Sequence, residues 1–271
     1  MIKNHLYYCL FILVITLSWS CASLDDVLNS SSLEEKEKLA LKYYNEGDYE
    51  TASMFFENIL PYYRGLEKME EFSYYNAMCS YNKGYYIVAA EQLKNFEKNF
   101  PHNENAQYAA YLSAYCYYLD SPKYYLDQES THNAIPYLQK FTNKYPNSKY
   151  VEECNKLMSE LREKIEKKAF ENAKIYYSTK KYKAAVVALG TVLNDYPGNK
   201  FTSEIYYYRA KSAYELAVKS IESKKKKRFI DLDTACKLFI KHSDKENKNY
   251  SKWMEEISDI HYKAIEYITL N

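Results

Sequence analysis

Apolar residues recur along this chain at three- and four-residue intervals, and one arrangement of them appears four times. It first runs Ala40, Tyr44, Gly47, Tyr49, Ala52, Phe56. It comes again as Ala77, Tyr81, Gly84, Tyr86, Ala89, Leu93, Phe96, Phe100-Pro101. A third version ends Ala134, Leu138, Phe141, Tyr145-Pro146, and the fourth reads Ala173, Tyr177, Lys180, Tyr182, Ala185, Leu189, Val192, Tyr196-Pro197. From the central alanine to the proline is twelve residues in three cases, 89 to 101, 134 to 146 and 185 to 197. The pattern predicts helices in pairs. Small alanines sit where two backbones approach, and large rings fill the holes beside them. Proline ends the second helix because it cannot continue the hydrogen-bond ladder. Gly47 and Gly84 fall at the turn between helices, where a positive φ is often required. Lys180 in the corresponding place implies a different turn or local strain.

This pattern resembles the tetratricopeptide repeat. One such pair cannot bury its apolar face alone, so neighbours must stack. The expected fold class is therefore all-α, a tetratricopeptide-like α-solenoid of about five helix pairs. The spacing is uneven. Pro101 to Pro146 is 45 residues, about 11 more than a standard unit, and the excess is Leu119–Thr131, expected as a loop. Pro146 to Pro197 is 51 residues, and here the excess reads as helix, with Leu157, Leu161, Ile165, Ala169 and Ala173 recurring through Val151–Tyr177. A fifth pair begins near Thr202 with Tyr206, Ala210, Ala213 and Ala217 on one face. Lys224–Arg228 is expected as a basic turn, Ile230–Ile240 as the helix after it, and Trp253–Ile268 as a terminal helix. The repeats divide into an N-terminal half, 33–150, holding three pairs, and a C-terminal half, 151–271, holding the linking helix, two pairs and the terminal helix.

The first twenty residues follow another logic. Lys3 and His5 precede an apolar run, Leu6–Leu17, too short to span a bilayer core of roughly 30 Å as a helix but suited to a signal peptide. Ser18-Trp19-Ser20-Cys21 then resembles a bacterial lipoprotein box, with Ser18 and Trp19 departing from its usual residues. Residues 1–20 are expected as a signal peptide, Cys21 as the lipidation site carrying diacylglycerol and palmitate-type acyl chains, and 21–32 as a lipidated tether. Several acyl chains at about 0.8 kcal/mol per buried CH₂ would hold such a protein on a membrane essentially permanently.

Composition sharpens this picture at few points. Gly occurs 5 times and Pro 6 times, too few for many short strands and tight turns. Tyr occurs 33 times, each able to pack a ring and keep a hydroxyl for water or a partner. Lys+Arg 37 nearly cancels Asp+Glu 36, so no overall field points to nucleic acid. Cys79, Cys116, Cys154 and Cys236 are scattered, each within a helical pattern, and are expected as buried free thiols. Without a CxxC or a Cys/His cluster, no metal site is expected. No Walker A, HExxH, GxSxG or GxGxxG motif occurs. His102, His132, His242 and His261 lie in polar surroundings and are expected at the surface. Glu70-Glu71 and Glu152-Glu153 read as solvated helix faces. The expectation is a binding protein with no catalytic residues and no cofactor.

Taken with the lipoprotein box and the uneven repeat spacing, three segments resemble the BamD family of outer-membrane β-barrel assembly lipoproteins. They are KYYNEGDYETASMFFENILP, AYCYYLDSPKYYLDQESTHNAIPYL and ECNKLMSELREKIEKKAFENAKIYYSTKKYKAAVVAL. The resemblance covers roughly residues 21–245 and weakens beyond Lys245, where the family's closing Tyr/Phe-Pro is missing. It implies a scaffold of that assembly machinery, anchored in the cell outer membrane and facing the periplasm. Its N-terminal repeats would receive the C-terminal targeting segment of an unfolded outer-membrane β-barrel protein. Its C-terminal repeats would grip the periplasmic domain of a BamA-like insertase. Targeting segments of this kind end in aromatic residues, and Tyr43, Tyr74 and Tyr75 are the candidate lining of a peptide groove. Other helical-repeat envelope lipoproteins, a cell-wall or division scaffold or a glycan-binding lipoprotein, are the alternatives. The glycan reading is disfavoured because only Trp253 remains for sugar stacking once residues 1–20 are removed.

Overall fold

The computed structural model describes residues 27–29 and 31–270. The expected signal sequence and Cys21 lie outside the described residues. Among the described residues eleven α-helices of eleven residues or more occur and no strand. They are α1 (Leu33–Glu46), α2 (Tyr49–Ile59), α3 (Lys68–Asn82), α4 (Tyr86–Asn99), α5 (Ala106–Asp120), α6 (Glu129–Lys144), α7 (Val151–Ser178), α8 (Tyr182–Asp195), α9 (Thr202–Val218), α10 (Glu222–His242) and α11 (Tyr250–Leu270). A 3₁₀ turn at Leu60–Tyr63, with Pro61 inside it, follows α2. Helices pack in neighbouring pairs, so the fold is all-α and tetratricopeptide-like. The chain divides into two compact units. Among the described residues, one comprises those up to Asp120 together with Pro136–Cys154, the other Ser121–Ile135 together with those from Asn155 onward.

In the first unit the repeat alanines are wholly buried. Ala40 and Ala52 meet Phe55, Phe56, Ile59 and Phe72 in one cluster, and Leu28, from the helical turn at 27–29, joins it. Ala77, Ala89, Leu93 and Phe96 pack with Ala109, Leu112 and Cys116 of α5 in the next. Burying a leucine such as Leu93 contributes about 1.5–3 kcal/mol, but only if the helices come close enough to exclude water. Alanine permits that approach. Within α5 and α6, Tyr117 lies face to face with Tyr137 at 3.7 Å, and Tyr111 meets Phe141 edge-on at 5.8 Å.

The second unit repeats the design. Phe170 and Ala173 of α7 pack with Ala185, Leu189 and Val192 of α8 and Ile205 of α9. Ala210, Ala213 and Ala217 meet Phe229, Leu232 and Phe239 of α10 and Trp253 and Ile257 of α11. The four thiols are free and buried; burial pushes those of Cys79, Cys116 and Cys236 up to about 12 and that of Cys154 up to about 11.

One turn recurs in both units. Gly47 (φ 80°), Gly84 (φ 78°) and Lys180 (φ 60°) are all left-handed. After each, an amide reaches back to close the preceding helix: Asp48 to the Tyr43 carbonyl at 2.9 Å, Tyr85 to Ser80 at 3.0 Å, Lys181 to Tyr176 at 2.8 Å. This is the Schellman closure, which satisfies carbonyls the helix end leaves orphaned. Lys180 therefore takes the same turn as the two glycines, with strain. A side chain in this region costs roughly 1–2 kcal/mol. A tyrosine on each side of the turn clasps it. Tyr44–Tyr49, Tyr81–Tyr86 and Tyr177–Tyr182 stand edge-on with centroids 5.7, 6.1 and 6.0 Å apart.

Two expected loops are shorter or displaced. The Leu119–Thr131 excess is a loop only between Asp120 and Glu129. The Leu126-Asp127-Gln128 run organises it. The buried Gln128 amide donates to the carbonyls of Lys123 (2.9 Å) and Leu126 (3.0 Å), and the Asp127 carboxylate accepts the Glu129 amide at 2.8 Å, starting α6. Lys164 and Lys168 of α7 tie the same loop down, donating to Ser121 Oγ at 2.9 Å and to the Leu126 carbonyl at 2.8 Å. Lys224–Arg228 is not a turn but the start of α10, and the turn falls at residues 219–221. Lysine and arginine are good helix formers, and no glycine or proline interrupts them. His261, expected at the surface, is mostly covered and lies 2.8 Å from Asp233, whose carboxyl is held below the usual range mainly by Lys237 and His261, against the effect of burial.

Ala89→Leu is expected to destabilise the first unit by about 1–3 kcal/mol through overpacking, while Val88→Leu on the exposed side changes stability by less than about 0.5 kcal/mol; urea titration of both distinguishes close packing from generic hydrophobicity. Lys180→Gly should leave stability unchanged or raise it by up to about 1 kcal/mol, the relieved strain being partly offset by chain entropy. Gly84→Ala should lose about 1 kcal/mol or more. Equal losses from both substitutions would contradict the strain assigned to Lys180.

Candidate functional site

The first residues of α3 and the side chains that follow define a stripe. Glu67, Glu70, Glu71, Tyr74 and Tyr75 stand at spacings of 3, 1, 3 and 1 along the sequence, which is one helical face. They open onto a cleft of about 760 Å³ whose other wall is Phe96, Asn103, Glu104 and Asn105. Tyr74 lies tilted on Phe96 at 5.3 Å, and Tyr75 packs on Tyr44 at 4.7 Å and Phe56 at 5.9 Å. Their rings are thus fixed from behind by the core and half-buried at the cleft. Burial, with Tyr108 and Tyr150 nearby, pushes the Tyr74 phenol up to about 12, so it stays protonated and able to donate at neutral pH.

The rim is acidic. Glu70 accepts the Asn103 side-chain amide at 2.8 Å, and Asn103 in turn caps the Asn105 amide at 2.9 Å, fixing the turn before α5. Lys68, the lining cation, is drawn to Glu37 of α1, which raises its pKa. Glu67, Glu71 and Glu104 are left facing solvent around the mouth. Acids in the first turn of α3 also suit the helix dipole, so part of their presence is structural.

Of the expected groove residues, Tyr74 and Tyr75 come together in this cleft. Tyr43 lies outside its lining, stacked on Phe55 at 5.8 Å with the Lys42 ammonium 5.8 Å from its ring centre. The glutamates were legible in the sequence by their spacing from the tyrosines, since Glu67, Glu70 and Glu71 precede Tyr74 by 7, 4 and 3 residues. Glu70-Glu71 read from the sequence as a solvated helix face, which points to no site. Rings, carboxylates and amides here can hold an extended segment by stacking and by accepting its backbone N–H groups. Among the described residues no cluster of three or more His, Cys, Asp or Glu could hold a metal, and no helix is long and apolar enough to cross a membrane.

Paired helices closed by one repeated turn, with an aromatic cleft on the first helix of the second pair, define a helical-repeat protein of the tetratricopeptide type. The chain belongs to the YfiO family of outer membrane lipoproteins, the family of BamD, whose model matches residues 35–228. Both the tyrosine cleft and the repeated turns fall inside that range. The chain is also similar to the outer membrane protein assembly factor BamD of Caulobacter vibrioides, 24% identical over 153 residues, 54% of this chain. It spans about half the length of that relative, 50%.

Proposed function

We propose that this protein is a non-catalytic assembly factor for outer-membrane β-barrel proteins, held on the outer membrane by lipid at Cys21 and facing the periplasm. The observation that carries the reading is the tyrosine cleft on α3, inside the range that matches the family and on a chain similar to a named outer membrane assembly factor. The cleft receives an extended segment of an unfolded barrel protein. Aromatic side chains of the segment stack on Tyr74 and Tyr75, worth roughly 0.5–1.5 kcal/mol per ring pair beyond area burial, and its backbone amides meet the glutamate rim. The rim repels a carboxylate, so the segment's free C-terminus lies beyond the cleft. The C-terminal repeats grip the periplasmic domain of a BamA-like insertase. Residues 1–20 serve as the signal peptide, and the tether, expected over 21–32, extends only as far as residue 26, since Leu28 packs in the core of the first unit. Only five residues separate Cys21 from Val27. At ~3.3–3.6 Å per residue, that keeps the first unit close to the bilayer.

Two measurements test this. Binding of a labelled C-terminal segment from an outer-membrane barrel, followed by fluorescence anisotropy, should weaken about tenfold in Tyr74→Ala, a loss of roughly 1.4 kcal/mol, and should tighten in Glu71→Gln when the segment carries its own acidic residue. Unchanged affinity in Tyr74→Ala would remove the cleft from the reading. Separately, Cys21→Ala should move the protein from the membrane to the soluble envelope fraction, and retention in the membrane would overturn lipidation at this cysteine.

A further inference from the structure

A second cleft opens in the first unit, between α4, α5 and α6, and shares no lining residue with the tyrosine cleft. Its volume is about 310 Å³. Ala110, Ser113 and Ala114 of α5 form the floor, and Phe141 of α6 and Tyr145, just past its end, line one side. The Ser113 hydroxyl already donates to the Ala90 carbonyl at 2.8 Å, so the floor offers a ligand apolar surface and no unmet polar group.

The rim has the opposite character. Lys94 and Lys98 stand four residues apart on α4, and Lys140 and Lys144 four apart on α6, all lining the cleft. Two of the four are neutralised. Lys94 lies 3.0 Å from Glu91, and Lys144 is paired with Glu97, which also accepts the Tyr145 hydroxyl at 2.8 Å. Lys98 and Lys140 are exposed and have no ion-pair partner among the described residues. The cleft thus presents an apolar floor beneath two uncompensated cations, one from each wall.

We propose that this cleft is a docking site for an acidic peptide segment of a partner protein, one that carries a large apolar side chain beside its carboxylates. The apolar side chain fills the space over Ala110 and Ala114, and the carboxylates meet Lys98 and Lys140. Size favours a peptide over a lipid. The volume is at the small end of ligand pockets, roughly 300–1,000 Å³, sized for one large side chain and too small for the paired acyl chains of a phospholipid. Charge favours it over a barrel segment in the tyrosine cleft, whose rim is acidic. The surface is therefore a second one, of opposite electrostatic preference, and goes beyond the function proposed above.

The test uses the full chain and three labelled peptides: Asp-Glu-Phe-Asp-Glu, the same peptide with Ala for Phe, and Lys-Lys-Phe-Lys-Lys. Fluorescence anisotropy should show the acidic aromatic peptide binding at least tenfold more tightly than either control, with affinity falling as salt is raised. Lys98→Glu/Lys140→Glu, at exposed positions that leave the packing intact, should weaken it at least tenfold. Ala110→Phe, which fills the cleft, should do the same. Lys98→Gln/Lys140→Gln gives an intermediate loss and serves as the milder variant. Equal binding of acidic and basic peptides, or wild-type affinity in the charge-reversed variant, would overturn the proposal. So would vesicles rich in phosphatidylglycerol binding the wild type and not the charge-reversed variant while the acidic peptide binds neither. The barrel segment, measured on the same variants, should bind as it does to the wild type, so failure here and failure of the tyrosine cleft are read separately.

Discussion

Two helices can exclude water between them only where their backbones come close, and in this chain that approach is set by alanine. Ala40 and Ala52, Ala77 and Ala89, and Ala173 and Ala185 are each twelve residues apart, one on each helix of a pair. All are buried. Twelve residues with a single left-handed turn between bring the two small side chains opposite one another. The large residues one turn further on, Phe56, Leu93 and Leu189, then bury completely. The dependence runs one way. A larger residue at the alanine position holds the helices apart and uncovers the rings beyond it, whereas losing a methylene from a ring position leaves the crossing in place.

The turn and the tyrosines are the next layer of that constraint. The tyrosine clasp across each turn has nearly one geometry in three places, even though the turn residue in the last is Lys180 and not glycine. Packing on both sides over-determines the turn and holds a strained residue in it. Elsewhere tyrosine hydroxyls bind helix-borne glutamates: Tyr117 to Glu91 at 2.7 Å, Tyr145 to Glu97 at 2.8 Å, Tyr207 to Glu256 at 2.6 Å and Tyr267 to Glu222 at 2.7 Å. These bonds hold the carboxyls of Glu91, Glu256 and Glu222 below their ordinary range. A phenylalanine would fill the same space and leave the helices without that polar link. This gives the tyrosine-rich composition a structural use, whatever its origin.

What the sequence made legible follows from these interactions. Ala, turn and Pro at constant offsets are local and periodic, so the pairs, the long α7 and the terminal helix could be read from spacing. Features that depend on a side chain finding a distant backbone could not. The loop before α6 ends earlier than composition suggests because Gln128 folds back onto Lys123 and Leu126 and because Asp127 caps the helix. The lysine run at 224–228 has the polarity of a loop but the propensity of a helix, and Phe229 and Leu232, buried against α9 and α11, decide for the helix. Tyrosines divide by the face they occupy. Tyr43 follows Ala40 by three residues and Tyr74 precedes Ala77 by three, so the two stand on different faces of their helices. Spacing separates the positions, but the neighbours, Phe55 for one and Phe96 at the cleft for the other, decide which ring packs and which lines a cleft.

The charge balance bears on how such a surface selects. A net charge of +1 provides almost no long-range steering, and at physiological salt a charge is screened within about 8 Å. An acidic rim around Tyr74 and a lysine rim over Ala110 can therefore coexist on one unit without cancelling, each acting only on a segment already in contact. Selection then rests on contact: an apolar side chain must enter a cleft before its flanking charges are read. For the function and the second cleft proposed above, that order would suit clients that arrive unfolded and expose many apolar side chains at once. Aromatic content alone would admit them anywhere, and the rim charge would distinguish one segment from the next.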